Sequence, residues 1–190
     1  MAAGNSSPLS IIRAIGDTAL SRTDRVNQRV TMLYEIHRDG LYRFLVAQGI
    51  PPAAAQEVTQ DVFVKLFIAL RNGAEIGSEQ SWLFGVAAKS AVGHWRREGT
   101  PVWVELDISS ATENFTSKEP SPEALAVRTE ELHRVADALI KLPKEQRMCV
   151  QLRSEGLRYR EIARILGVAV STASEWLSTA VDRLRRAAHD

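Results

Sequence analysis

The side chains with the clearest capacity for chemistry in this 190-residue chain gather near its C-terminal end, between Leu142 and Arg186. Ser171, Thr172, Ser174 and Glu175 form a short run of hydrogen-bonding groups, and Arg183, Arg185 and Arg186 follow on the same stretch. Arg158, Arg160 and Arg164 precede them. Hydroxyls and carboxylates pair with base edges, Glu175 with a cytosine amino group, while guanidinium groups hold the phosphate backbone and release its counterions. This is the chemistry of binding. The chain has no glycine-rich phosphate loop, no Cys/His metal spacing and no Ser in a nucleophile elbow, so no enzyme activity, cofactor or metal is expected. His37 has no second His or Cys near it at ligand spacing and reads as a packing residue. Cys149, the single cysteine, reads as a small buried thiol.

Base-reading side chains need a rigid carrier, and the same stretch supplies one as a helix-turn-helix. Pro143 opens a first helix that runs to about Glu155, and Gly156 is suited to a left-handed cap. A second helix from about Arg160 puts Ile162, Ala163, Ile165 and Leu166 on one face and stops at Gly167. Val168 and Val170 are expected to anchor the turn. The third helix is expected to start near Ser171 or Thr172, either of which can cap it, with Ala173, Trp176, Leu177, Ala180, Val181 and Leu184 inward.

The pattern LPKEQR, then EGLRYREIARILGV, then the helix ending DRLRR resembles the fourth conserved domain of bacterial RNA polymerase sigma factors, in the extracytoplasmic-function (ECF) class. The resemblance implies a minus-thirty-five promoter element held by Arg158, Arg160, Ser171, Thr172, Ser174, Glu175 and Arg183. Ser174, Trp176 and Thr179 stand where the family often carries Lys or Arg, so the usual phosphate clamps are thinned out.

The N-terminal half carries the same resemblance in order. Thr23 or Asp24 can cap a long amphipathic helix whose apolar face is Val26, Val30, Leu33, Tyr34, His37, Leu41, Phe44 and Leu45, and its LYRF step is similar to the start of the second sigma domain. After Pro51 and Pro52, a second helix places Val58, Val62, Phe63, Leu66 and Leu70 inward and Glu57, Gln60, Asp61 and Lys65 outward. Its EVTQDVFVKLF segment resembles the family's grip on core RNA polymerase, which implies Glu57, Val58, Gln60, Asp61 and Phe63 as contacts. Ser78 or Glu79 opens a third helix with Trp82, Leu83, Val86, Ala87 and Ala91 in helical rhythm. By resemblance it reads the melted minus-ten element through Lys89, His94, Trp95, Arg96 and Arg97. Cations there neutralise phosphate, and an aromatic face stacks an unpaired base. Gly93, Lys89, Ala88 and Gly85 depart from the family's habit on this helix.

Composition is compatible with this reading without demanding it. With 24 basic and 23 acidic side chains the net charge is only +1, so any DNA-binding surface must come from local clustering. No apolar run reaches the roughly 20 residues of a membrane span, and a soluble cytoplasmic protein is expected. The expected fold is all-α, with two small helical domains joined by a flexible linker. The divisions are a weakly structured extension over 1–22, a sigma domain two-like bundle over 23–98, a linker over 99–121 and a sigma domain four-like helix-turn-helix over 122–190. Within the linker Val102 to Ile108 reads as an extended piece, and the helix begun by Pro122 and Glu123 belongs to the second domain. The implied partners are core RNA polymerase, promoter DNA and an anti-sigma factor. A stand-alone helix-turn-helix regulator, and a sigma-like protein whose C-terminal domain mainly binds a protein partner, stay open as alternatives. Near-neutral charge also allows the basic end of one domain to rest on an acidic surface of the other in the free protein.

Overall fold

The computed structural model describes residues 21–98 and 122–189, and every regular element among them is a helix. The expected extension, linker and extended Val102 to Ile108 piece lie outside the described residues. Helix α1 is Arg22–Ala47. Its cap is Ser21, two to three residues earlier than expected: Ser21 Oγ accepts from the Asp24 N–H at 3.1 Å while Asp24 Oδ2 accepts from the Ser21 N–H at 3.2 Å. Only the Ser21 and Asp24 pair has the three-residue offset that closes both bonds at once. After α1 the backbone turns at Gly49 with φ 79°, and Pro51 and Pro52 start α2, Pro52–Arg71. Helix α3 is Glu79–Glu98, and Ser78 Oγ accepts from the Ser81 N–H at 3.2 Å.

These three helices enclose a core of Leu33, Leu41, Phe44 and Leu45 from α1, Val62, Phe63, Leu66 and Leu70 from α2, and Leu83, Phe84, Ala87 and Ala91 from α3. Aromatic rings meet edge to face within it, Tyr34 with Phe63 at 4.9 Å and Phe44 with Phe84 at 5.6 Å, the geometry that ring quadrupoles prefer.

The second group is α4 (Pro122–Lys141), α5 (Lys144–Ser154), α6 (Tyr159–Leu166) and α7 (Val170–His189). Helix α7 is packed on by α4, α5 and α6. Gly156 and Gly167 take φ 88° and 69°, conformations that a side chain would oppose, and they set the two turns of the motif. Helix α7 begins at Val170, ahead of the expected hydroxyl cap, with the Ala173 N–H on the Ala169 carbonyl at 3.1 Å. Because the αL turn brings the Val168 N–H back to the Ala163 carbonyl at 3.0 Å, Val168 packs inward while Val170 is left exposed.

The two groups touch. Gln48, fully buried at the end of α1, donates through Nε2 to Gln151 Oε1 on α5. Gln80 Nε2 on α3 donates to the Glu155 carbonyl that ends α5. Helix α3 also lies along α6, with Gly85 facing Ile165.

Candidate nucleic-acid interface

On α2, Glu57, Gln60 and Asp61 are exposed and Val58 is half-buried. Phe63 is buried against Tyr34, so its ring holds α2 to α1 and is not presented to a partner. The helical spacing of this face continues from Glu57 and Asp61 to Val64 and Ile68, both exposed large hydrophobics. Sequence reading passed over this pair, although three- and four-residue steps from Asp61 point to it. Carboxylates repel phosphate, and carboxylates beside apolar groups suit a protein partner better than DNA.

The basic end of α3 looks different. Lys89, Arg96 and Arg97 are exposed, and His94 and Trp95 are half-buried. Arg96 and Arg97 sit in the last turn, where the negative end of the helix dipole favours cations. The Trp95 indole is oriented from both sides: Nε1 donates to the Gln48 carbonyl at 2.8 Å, and the Lys144 ammonium lies 5.7 Å from the ring centroid. A cation over an aromatic face contributes about 0.5–1 kcal/mol at such exposure.

In the helix-turn-helix, Arg158, Arg160, Ser171, Ser174, Glu175 and Arg183 are exposed, and Thr172 is half-buried. The Glu161 carboxylate turns back to accept the Arg158 N–H at 2.9 Å, which fixes the start of α6. Trp176 is half-buried and lines a largely apolar cavity of about 380 Å³ with Trp95, Met148, Ile165 and Leu166, at the meeting of the two helix groups.

The residue that positions this motif is one the sequence reading did not single out. Arg147 is 2% exposed, and its Nη1 donates to the Ile140 carbonyl at 2.8 Å and the Leu142 carbonyl at 3.3 Å. It thereby ties the end of α4 to α5. Burial pushes its pKa down to about 10, partly opposed by Glu145, so it remains charged at neutral pH. The available signal was its place four residues after Pro143, on the side of α5 that also carries Gln151.

Burial also pushes the Cys149 thiol up to about 11, with Glu145 adding to the effect. His37 is lowered by burial against the pull of Glu79. Among the described residues no group of three or more His, Cys, Asp or Glu could hold a metal ion, and no helix is long and apolar enough to cross a membrane.

Comparison with known proteins agrees with this arrangement of helices. Residues 33–100 match the family model for Sigma-70 region 2, and residues 132–184 match the one for Sigma-70, region 4. The ECF RNA polymerase sigma-E factor of Escherichia coli K12 is 29% identical over 160 residues, covering 80% of this chain and 83% of that protein. The RNA polymerase sigma-H factor of Pseudomonas aeruginosa is 27% identical over 140 residues, 70% of this chain and 72% of that one. The fold resembles that of RpoE solved with the anti-sigma factor NepR from Bartonella quintana, at TM-score 0.59 and 21% identity, over 83% of this chain and 94% of that one. It also resembles CnrH in complex with the cytosolic domain of CnrY, at TM-score 0.58 and 24% identity, over 87% and 93% of the two chains. With both sigma-70 regions present in order, each on its own group of helices, the chain belongs to the ECF class of RNA polymerase sigma factors.

Proposed function

We infer that this protein binds core RNA polymerase through the outer face of α2 and directs transcription initiation at a specific subset of promoters. The observation that carries the reading is the separation of surfaces. An exposed acidic and apolar face, Glu57, Gln60 and Asp61 continued by Val64 and Ile68, stands on the same helix group as the basic end of α3, while the helix-turn-helix with exposed Arg158, Arg160, Ser171, Ser174, Glu175 and Arg183 stands on the other group. A stand-alone regulator has no need of the first face. Lys89, His94, Trp95, Arg96 and Arg97 serve the minus-ten element in this reading. Arg158, Arg160, Ser171, Thr172, Ser174, Glu175 and Arg183 serve the minus-thirty-five element. The site of action is the cytoplasm, where polymerase and promoter meet, and the protein contributes binding energy and no bond chemistry of its own.

The test is capture of core polymerase by the full chain, followed by run-off transcription on genomic fragments. Replacing Gln60 and Asp61 together should weaken association by a few kcal/mol if they sit at the centre of the interface, with folding unchanged because both are exposed. Full capture by a well-folded double variant would refute the α2 docking face, and no capture by the parent chain would favour the stand-alone regulator. An anti-sigma partner is a further part of this reading, supported by the RpoE relative having been solved with one.

A further inference from the structure

The walls of the cavity beside Trp176 come from four helices. Ala88, Val92 and Trp95 stand on α3, Met148 on α5, Ile165 on α6 and Trp176 on α7. Ala88 and Met148 belong to one continuous buried core, and both tryptophans and Ile165 pack against it, so the space is a preformed feature of a single packed interior. Its volume is about 380 Å³, room for about twelve waters at ~30 Å³ each. Walls this apolar offer those waters few partners, and such a space is filled more favourably by an apolar body than by solvent.

The exposed part of the lining marks the mouth. Val92 is 51% exposed there, with exposed Lys89 on the same helix and exposed Lys144 on α5. The Lys144 ammonium stands 5.7 Å from the Trp95 centroid and 4.0 Å from the carboxylate of Glu145, the one acidic residue on the lining. Among the described residues Lys89 has no ion-pair partner and the Trp176 indole N–H makes no hydrogen bond. Two cations against one carboxylate leave the mouth positive, and its complement is an anion. Apolar and aromatic walls with a few polar groups that fix orientation, in a volume of roughly 300–1,000 Å³, are the make-up of a small-molecule site.

We propose that this cavity binds a small amphipathic acid, a ring system or chain of about a dozen non-hydrogen atoms, with its apolar body between Trp95, Trp176 and Met148 and its carboxylate held by Lys89 and Lys144. Release of solvent from between the indoles supplies the affinity, and the two ammonium groups supply the preference for an ionised ligand over a neutral one. The site is independent of the sigma reading: loss of polymerase capture would refute that reading alone, and loss of ligand binding would refute the site alone.

The test titrates the full chain, its tryptophans labelled with nitrogen-15, with 2-naphthoate and with its neutral counterpart 2-naphthalenemethanol, and follows the indole N–H signals by NMR. Phe substitution at each of the four tryptophans assigns the signals. 2-Naphthoate should shift the Trp95 and Trp176 signals saturably, with Kd at or below about 1 mM, as ordinary ligand efficiency requires of a molecule of that size. K89A/K144A should weaken 2-naphthoate about fivefold or more and leave 2-naphthalenemethanol within about twofold of the parent. V92W, a substitution at an exposed position, should close the mouth and abolish the shifts for both ligands. Absence of a saturable shift in the parent, equal weakening of both ligands in K89A/K144A, or undiminished binding to V92W overturns the proposal. Shifts that rise linearly with ligand and spread over all four indoles overturn it as well, since they report non-specific association.

Discussion

Replacing Arg147 by Met tests whether one buried cation positions the helix-turn-helix. The substitution keeps most of the side-chain volume and deletes, among the contacts of Arg147, the bonds at 2.8 Å to the Ile140 carbonyl and 3.3 Å to the Leu142 carbonyl. A bond from a charged donor contributes about 1.5–3 kcal/mol, and the longer of these two deserves the lower half of that range, so the gross loss is about 4 kcal/mol. Met returns part of this by removing a guanidinium whose burial is unfavourable, as its depressed pKa of about 10 records. The net expectation is a destabilisation of about 2–3 kcal/mol for Arg147→Met, and more for Ala, which adds a cavity. Urea unfolding followed by circular dichroism measures it, with the midpoint falling and the slope unchanged. For a chain that melts as one unit, the melting temperature should fall by roughly 4–12 °C. A Met variant within about 0.5 kcal/mol of the parent would refute the reasoning: desolvation of the guanidinium would then cancel its bonds, and apolar packing alone would hold α4 to α5.

Phe84→Ala should cost about 3–5 kcal/mol in the same assay, since Phe84 is fully buried edge-on to Phe44; a loss below about 1.5 kcal/mol would mean the site collapses around the deletion. Glu155→Gln probes the contact between the two helix groups by pH. Burial raises the Glu155 carboxyl, partly offset by Arg43, so ionisation opposes the folded state as pH climbs through the raised value, and the opposition vanishes below the unfolded value of 4.5. The Gln variant should thus melt higher than the parent at neutral pH, and that advantage should shrink as pH falls toward 4.5; a pH-independent difference counts against the assignment. In promoter selection with randomised upstream elements, Glu175→Ala should shift preference at one or two base pairs by roughly 1–3 kcal/mol. Arg183→Ala should instead weaken all sequences alike and flatten the salt dependence, and identical selection by the Glu175 variant and parent would remove direct readout by that face.

Periodicity was a sound guide wherever burial is one-sided. The inward residues of α1, α2 and α7 follow three- and four-residue spacing because each helix has a single stripe against its neighbours. Pattern reading weakened on α3, where Trp82, Leu83 and Phe84 are consecutive: an apolar run gives no phase, and Phe84, the most deeply set of the three aromatics and aliphatics with Leu83, was left out. Phe63 shows the related difficulty at a site. Its place in a family pattern suggested a contact, while its place on the inward stripe of α2 decided that it would be covered by Tyr34.

By itself the sequence determined the local structure: the positive-φ turns at Gly156 and Gly167, the proline start of α2, the amphipathic faces, and the order of the two sigma regions. All of these depend on residues within a few positions of one another, where sterics and backbone hydrogen bonding leave few choices. Only the tertiary structure decided that Gln48 meets Gln151 from 103 positions away, that Gln80 meets Glu155 from 75, and that Lys144 covers Trp95. Neutral amides carry no hydrophobic period and no charge sign to announce a partner. Their pairing follows from how the two groups of helices come to rest on each other.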